Sequence, residues 1–156
     1  MLNLDRLIPS QADNNYCGSK IALYLFPLLA LVILGRSLIH FLKSDAGINS
    51  IATIITFDGT PDPDRVIYLF GSLWGSQQVI MATLYAVVLW RYRSLIPLMY
   101  LLIATEFCLR MVSGNLHPLS DLYYLHRPPG SVGNIPGLIL VSTLCLLSLR
   151  EPKTNR

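Results

Sequence analysis

Charged and hydrogen-bonding side chains recur at helical spacing inside apolar stretches of the sequence. Arg36, His40 and Lys43 are separated by four and then three residues, so they share one face of a helix. Glu106 and Arg110, four residues apart, share a face of a later helix. A charge inside a bilayer costs at least a few kcal/mol and normally faces a partner. We therefore expect Glu106 to pair with Arg110 on its own helix or with Arg36 across helices.

The charges of Arg36, Glu106 and Arg110 sum to +1, which suits an anion or an acceptor: a lipid phosphate, a carboxylate or a quinone oxygen. In such a pocket Glu106 is the acid–base candidate, the two arginines are clamps and His40 is a proton carrier. The structural alternative is that the ion pair locks helices together while Arg36 and His40 extend to the membrane interface. The candidate ligand-binding residues are Arg36, His40, Gln77, Gln78, Tyr100, Glu106, Arg110 and Asn134.

The elements that must position these residues are four apolar stretches, at about 21–42, 66–90, 94–113 and 131–149. Each is close to the roughly 20 residues that cross a bilayer. Only 13% of the 156 residues are charged and 53% are apolar, whereas soluble domains carry about 25% charge. This composition excludes a disordered tail, a coiled coil and an ordinary nucleic-acid module. It predicts an all-α membrane four-helix bundle over residues 20–150.

The basic residues between the stretches are unevenly divided between the two sides of the predicted membrane. Seven fall on the side of the termini, and these are Arg6, Lys20, Arg91, Arg93, Arg150, Lys153 and Arg156. Three fall on the other side, and these are Lys43, Arg65 and Arg127. The positive-inside rule therefore predicts a cytoplasmic segment 1–19, a cytoplasmic tail 151–156 and, in a bacterium, insertion in the inner (plasma) membrane.

Small residues four apart indicate where helices approach closely. Gly71 and Gly75 in the second stretch, and Gly133 and Gly137 in the fourth, are predicted to pack helices within the bundle or between subunits. Trp74 is assigned to an aromatic belt at the interface.

Segment 47–57 is apolar but too short to cross, so it is predicted to be interfacial or re-entrant, with a short extracytoplasmic helix or strand as the alternative. The three histidines have no helical i, i+4 pair and the three cysteines form no ligand spacing, so no metal site is predicted.

The order of motifs resembles a family of small bacterial four-helix membrane proteins with an architecture like that of the DoxX-like group. The motifs are Arg65 before the sequence GSLWG (71–75), the basic turn RYR (91–93), and Glu106-x3-Arg110 followed by a Ser-Gly-x2-His-Pro ending (113–118). The resemblance covers roughly 21–149, and the loop 119–132 departs from it. It implies the four-helix bundle and directs attention to Glu106 and Arg110, but it implies no activity.

Two functions follow from these features. The first is a non-catalytic accessory or structural subunit that packs on other membrane chains or on copies of itself, with membrane lipids around it and no cofactor. The second is a lipid-, isoprenoid- or quinone-binding protein or enzyme whose polar pocket lies in the outer half of the bundle. Convergence of Arg36, Glu106 and Arg110 on a cavity would favour the second, and direct pairing without a cavity would favour the first.

Overall fold

A computed structural model gives the structure of residues 3–150, so the predicted tail 151–156 lies outside the described residues. Its four long helices are α1 (Lys20–Leu42), α2 (Asp64–Arg91), α3 (Ile96–Leu116) and α4 (Pro129–Leu149). Each is long and apolar enough to cross a membrane. The predicted all-α bundle of four such helices is confirmed.

Most helix ends extend slightly beyond the predicted stretches, because polar residues there are also helical, whereas α3 begins two residues later than predicted. The side chain of Ser19 accepts a hydrogen bond from the Ile21 N–H, which caps α1 and lets it begin at Lys20. A 3-10 turn, Arg93–Leu95, separates α2 from α3, and α3 continues past Ser113 for one further turn. These differences leave the predicted order of elements unchanged.

The bundle is built from two antiparallel helix hairpins. α1 packs along α2 and α3 packs along α4, whereas α2 and α3 make few contacts with each other. Glycines allow the close approach within each hairpin. A Cβ on Gly75 would lie 2.5 Å from the Phe41 backbone nitrogen, and a Cβ on Gly137 would lie 2.6 Å from the Phe107 ring. These glycines thus allow close packing within each pair, and the sparse contact between α2 and α3 leaves a gap there.

The other two predicted packing glycines differ from each other. A Cβ on Gly71 would lie 3.0 Å from the Cβ of Ala46, so this glycine packs against the loop that follows α1. Gly133 is exposed, and a Cβ there would meet no atom within 4 Å. Packing by Gly133 within the bundle is therefore not found among residues 3–150, and packing between subunits stays a prediction.

An aromatic cluster joins α1, α2 and α3 in the half of the bundle that is nearer the chain termini. The Phe26 ring makes edge-to-face contacts with Tyr85 and Tyr100, at centroid distances of 5.8 and 5.2 Å. All three side chains are fully buried. The Tyr100 hydroxyl donates a 2.7 Å hydrogen bond to the Ala22 carbonyl oxygen, which satisfies the one polar atom of that side chain.

The loops 43–63 and 117–128 meet at one end of the bundle, which we call the two-loop end. Ile54 forms an isolated antiparallel bridge with Tyr124, and the Leu125 N–H donates to the Thr53 carbonyl over 2.8 Å. Thr53 has φ 56°, a strained conformation for a β-branched residue, and its hydroxyl donates to the His126 carbonyl over 2.6 Å. Segment 47–57 thus forms neither a helix nor a named strand, because residues 47–52 make hydrogen-bonded turns of their own and only residues 53–55 pair with the second loop.

The first loop is also held by an acidic side chain. Asp45 accepts hydrogen bonds from the Gly47 and Ser50 backbone N–H groups, over 3.0 and 2.8 Å. Partial burial acts to raise its pKa, but the hydrogen bonds from Ser50 and Gly47 and the charge of Lys43 outweigh it and lower the pKa of Asp45 to about 2. The carboxylate therefore stays charged while it orders this turn.

The described part of the N-terminal segment, residues 3–19, crosses the opposite end of the bundle, which we call the terminal end. Asp13 and Ser94 exchange hydrogen bonds of 2.9 to 3.1 Å, which connect this segment to the turn between α2 and α3. The Arg6 guanidinium donates to the carbonyls of Cys17 and Arg150, both over 2.9 Å. The two hairpins are therefore linked at this end as well as at the two-loop end.

Candidate functional site

A cleft of about 440 Å³ occupies the gap between α2 and α3. Each helix lines it with one face, since the contributing positions recur every three or four residues. The residues from α2 are Trp74, Gln77, Gln78, Met81 and Tyr85, and those from α3 are Leu102, Thr105, Glu106, Leu109, Arg110 and Ser113. Leu102 and Leu109 are exposed on the outside of the bundle, so the cleft opens sideways between the helices.

Four polar side chains from three helices meet beside the cleft, and we call them the polar cluster: Arg36, Gln78, Glu106 and Arg110. Gln78, Glu106 and Arg110 line the cleft, and Arg36 contacts two of them without lining it. Glu106 Oε1 accepts from Gln78 Nε2 at 2.7 Å and from Arg36 Nη2 at 3.3 Å. The same Arg36 nitrogen donates to Gln78 Oε1 at 2.5 Å. Arg110 Nε lies 3.7 Å from Glu106 Oε1, within ion-pair distance. Both expected pairings of Glu106 are therefore present together.

The contacts of the cluster are concentrated on one carboxylate oxygen. Among residues 3–150, Glu106 Oε2 takes part in no hydrogen bond, and neither do the two terminal nitrogens of Arg110. Arg110 Nε is inaccessible and has no hydrogen-bond partner within that range. The formal charges of Arg36, Glu106 and Arg110 sum to +1, so the cluster carries a surplus of both charge and donors.

The register of the first hairpin brings Arg36 to Gln78. Gly75 lets the α2 backbone lie against His40 and Phe41, and one turn along both antiparallel helices then places Arg36 beside Gln78. Arg36 also lies over the Trp74 ring, at 5.3 Å from the centroid, which is a cation–π distance. The Arg36 guanidinium is thereby held by hydrogen bonds from its nitrogen and by contact with the Trp74 ring.

The second hairpin fixes Arg110 by a comparable arrangement. Gly137 of α4 leaves space for the Phe107 ring, and the Arg110 guanidinium lies 4.5 Å from the centroid of that ring. A cation over an aromatic face is stabilised by the ring quadrupole. Arg110 is therefore held at the cleft by its aromatic neighbour and by the charge of Glu106, while its two terminal nitrogens make no hydrogen bond with residues 3–150.

The other candidate residues are divided between the cleft and its surroundings. Gln77 lines the cleft beside Gln78 and is exposed. His40 does not line it: the ring is buried, Nδ1 lies 2.7 Å from the Ala46 carbonyl oxygen, and the Trp74 ring is 4.8 Å away. Asn134 also lies outside the cleft lining, on α4, with Oδ1 inaccessible and without a partner among the described residues.

Tyr100 was wrongly expected to face the polar residues of α3. Six residues separate it from Glu106, and at 100° per residue this rotation of about 600° places the two side chains about 120° apart around the helix. Tyr100 instead lies in the aromatic core and donates to Ala22.

Trp74 was missed as a cleft residue because aromatic residues of membrane helices commonly lie at the interface. It lies ten residues into α2, about 15 Å from the start of that helix. Its ring contacts both Arg36 and His40. Its spacing of four residues from Gln78 was the signal that could have identified it, since i and i+4 share a helix face.

Comparison with protein-family models gives no match, and comparison with curated proteins and with solved structures gives none either. The resemblance to the DoxX-like group therefore rests on the short motifs of the sequence and stays a prediction.

Proposed function

We propose that this chain is a membrane protein that binds a membrane-resident amphiphile in the cleft between α2 and α3. The observation that carries the proposal is that Glu106 and Arg110 line an open cavity whose remaining wall is largely apolar, while Arg36 pairs with Glu106 from behind that wall. Ligand sites of this kind combine apolar walls with a few polar groups that orient the ligand. A lipid, an isoprenoid or a quinone has the matching division into a polar head and an apolar chain.

The depth of the polar cluster supports a ligand that comes from the bilayer. Glu106 lies ten residues from each end of α3, which is about 15 Å in either direction. Arg36 lies six residues before the end of α1, about 9 Å from the two-loop end. The head of the ligand would thus lie in the half of the bundle nearer that end, with its chain along Met81 and Leu102.

The charge distribution of the sequence supports an orientation for this site. With both termini in the cytoplasm, as the positive-inside rule predicts, the two-loop end faces the outside of the cell and the polar cluster lies in the outer half of the membrane. The bacterial inner membrane is the location that we propose, and the ligand would be drawn from its outer leaflet.

The competing proposal is that the chain is an accessory subunit, and it predicts a different composition of the purified protein. An accessory subunit needs the cleft only as a packing surface, so a partner chain would be recovered with it in a fixed ratio.

Native mass spectrometry after extraction in a mild detergent tests the two proposals together. We expect one defined amphiphile to remain bound to the wild-type protein and to be lost from Thr105→Phe, which adds a ring inside the cleft. Ile139→Phe is the matched control, because Ile139 is exposed on α4 outside the cleft lining, and it should keep the amphiphile. Recovery of a stoichiometric partner chain, unaffected by Thr105→Phe and without a bound amphiphile, would overturn the proposal in favour of a subunit.

A further inference from the structure

Resting on the proposed function, we infer that the head of the amphiphile is an oxyanion, a phosphate or a carboxylate, and that Arg110 is its principal contact. The inference concerns the chemical class of the ligand and the residue that selects it. It depends on three observations: the charge of the polar cluster, the unused donors of Arg110, and the position of Arg110 in the cleft wall.

The charge of the cluster is the first observation. Glu106 can neutralise only one of the two arginines, and it is Arg36 that makes the hydrogen bond to its carboxylate, at 3.3 Å. His40 has its Nδ1 directed at the Ala46 carbonyl, and among residues 3–150 no other acidic residue lines the cleft. Gln77, Gln78, Thr105 and Ser113, the remaining polar residues of the lining, are neutral. A charge of +1 within a membrane is costly unless it is compensated, and an anionic head would compensate it.

The unused donors are the second observation. Within residues 3–150 the two terminal nitrogens of Arg110 make no hydrogen bond, and the inaccessible Nε, 3.7 Å from Glu106 Oε1, makes an ion-pair contact rather than a hydrogen bond. A guanidinium offers a planar fork of donors that matches two oxygens of a phosphate or carboxylate. Contact with Phe107 holds this fork in place.

The position of Arg110 is the third observation. It lies one turn beyond Glu106, about 6 Å closer to the two-loop end, on the α3 face that lines the cleft. A head group bound there is nearer the membrane surface than its chain, as the geometry of a lipid requires. A neutral quinone carbonyl could accept from the same nitrogens, but it would leave the charge of +1 uncompensated.

Fluorescence of Trp74 provides the readout, because the chain has two tryptophans and the other, Trp90, is exposed at the end of α2. In the Trp90→Phe protein, in detergent micelles, Trp74 is titrated with phosphatidic acid that carries brominated acyl chains, which quench tryptophan on contact. Diacylglycerol with the same brominated chains differs only in lacking the phosphate. We expect phosphatidic acid to reach half-maximal quenching at a mole fraction at least tenfold lower than diacylglycerol does.

Charge variants in this background assign the effect to the cluster. Arg110→Gln should raise the half-quenching mole fraction of phosphatidic acid at least tenfold, whereas Arg65→Gln should not change it, because Arg65 is exposed outside the cleft. Glu106→Gln keeps one acceptor oxygen for Arg36 and Gln78 but removes the negative charge, so phosphatidic acid should bind as well or more tightly. This opposite direction keeps the inference testable if Arg110→Gln fails to fold.

The outcomes separate the inference from the function on which it rests. Equal, saturable quenching by both lipids, unaffected by Arg110→Gln, would overturn the oxyanion inference and leave the proposed cleft function standing. The reporter for non-specific quenching is the variant Leu122→Trp, Trp74→Phe, Trp90→Phe, whose single tryptophan lies in a loop. If neither lipid quenches Trp74 more than it quenches this reporter, the oxyanion inference and the proposed cleft function are both overturned. Relief of quenching by millimolar inorganic phosphate would support the oxyanion site and assign it to a soluble phosphate, and no relief would assign it to the lipid.

Discussion

Glu106 Oε1 is the common acceptor of the polar cluster, and Gln78 is the neutral residue that connects it to Arg36. The Gln78 amide donates to the carboxylate through Nε2 and accepts from Arg36 through Oε1. It thereby satisfies a second donor of the arginine without adding charge. Side-chain networks of this kind fix the geometry of all their members.

Replacement of Gln78 by leucine should destabilise the bundle, whereas the same change at the adjacent Gln77 should not. Gln78→Leu removes one hydrogen bond to each of two charged groups, for an expected loss of about 1–2 kcal/mol in the free energy of unfolding. Gln77 makes no hydrogen bond within the described residues and is exposed. Thermal unfolding in one detergent, followed by circular dichroism, compares the two variants.

Equal melting temperatures of these two variants would contradict a structural role for Gln78. The affinity of each variant for phosphatidic acid is an independent measurement. Gln77→Leu alters only the wall of the cleft, whereas Gln78→Leu also releases Arg36 from its hydrogen bond.

At the scale of residues, the sequence was sufficient to identify Arg36, Glu106 and Arg110, because charges in apolar helices must find partners. It was insufficient for Tyr100 and Trp74, since their environment depends on how helices rotate about their axes. The rotation of α3 places Tyr100 in the core, and that of α2 places Trp74 in contact with Arg36 and His40.

At the scale of elements, the close approach of α1 and α2 at Gly75 controls the position of Arg36. The Phe41 nitrogen and the His40 carbonyl carbon would lie 2.5 and 2.6 Å from a Cβ at residue 75. These are backbone atoms, so they cannot move away as the end of a flexible side chain could.

Gly75→Ala should therefore separate α1 from α2 and destabilise the protein by about 1–3 kcal/mol. Gly133→Ala is the matched control, because open space surrounds Gly133 and alanine favours a helix by about 1 kcal/mol over glycine. We expect a lower melting temperature for the first variant and an unchanged or higher one for the second. An equal drop in melting temperature for both variants would show that alanine destabilises the helices themselves rather than the contact between α1 and α2.

The existence and order of the helices were predictable, because apolar stretches of about 20 residues leave few alternatives in a membrane protein. The structure of segment 47–57 was not, since its partner is the loop 117–128, far away in sequence. The prolines of that second loop, Pro118 and Pro128, indicate turns but do not show which backbone groups pair across the two loops.

At the scale of the whole molecule, Cys17 offers a test of the proposed orientation. It is exposed in the N-terminal segment at the terminal end. In intact cells, a membrane-impermeant maleimide should leave Cys17 unmodified and should label it after the membrane is permeabilised. Asp58→Cys, in the exposed part of loop 43–63, should be labelled without permeabilisation in a Cys17→Ser background.

The reverse labelling pattern would place the termini outside and the two-loop end in the cytoplasm. The cleft would then take its ligand from the inner leaflet, although its internal geometry would be the same.

The links between the hairpins at both ends of the bundle have a consequence for how a ligand exchanges. Asp13 with Ser94 and Ile54 with Tyr124 join the hairpins above and below the cleft, so the route that remains is sideways, between exposed Leu102 and Leu109. Occupancy would then follow the mole fraction of the ligand in one leaflet rather than its concentration in water. A cell could fill or empty this protein by remodelling its lipids, without any change in the aqueous compartments on either side.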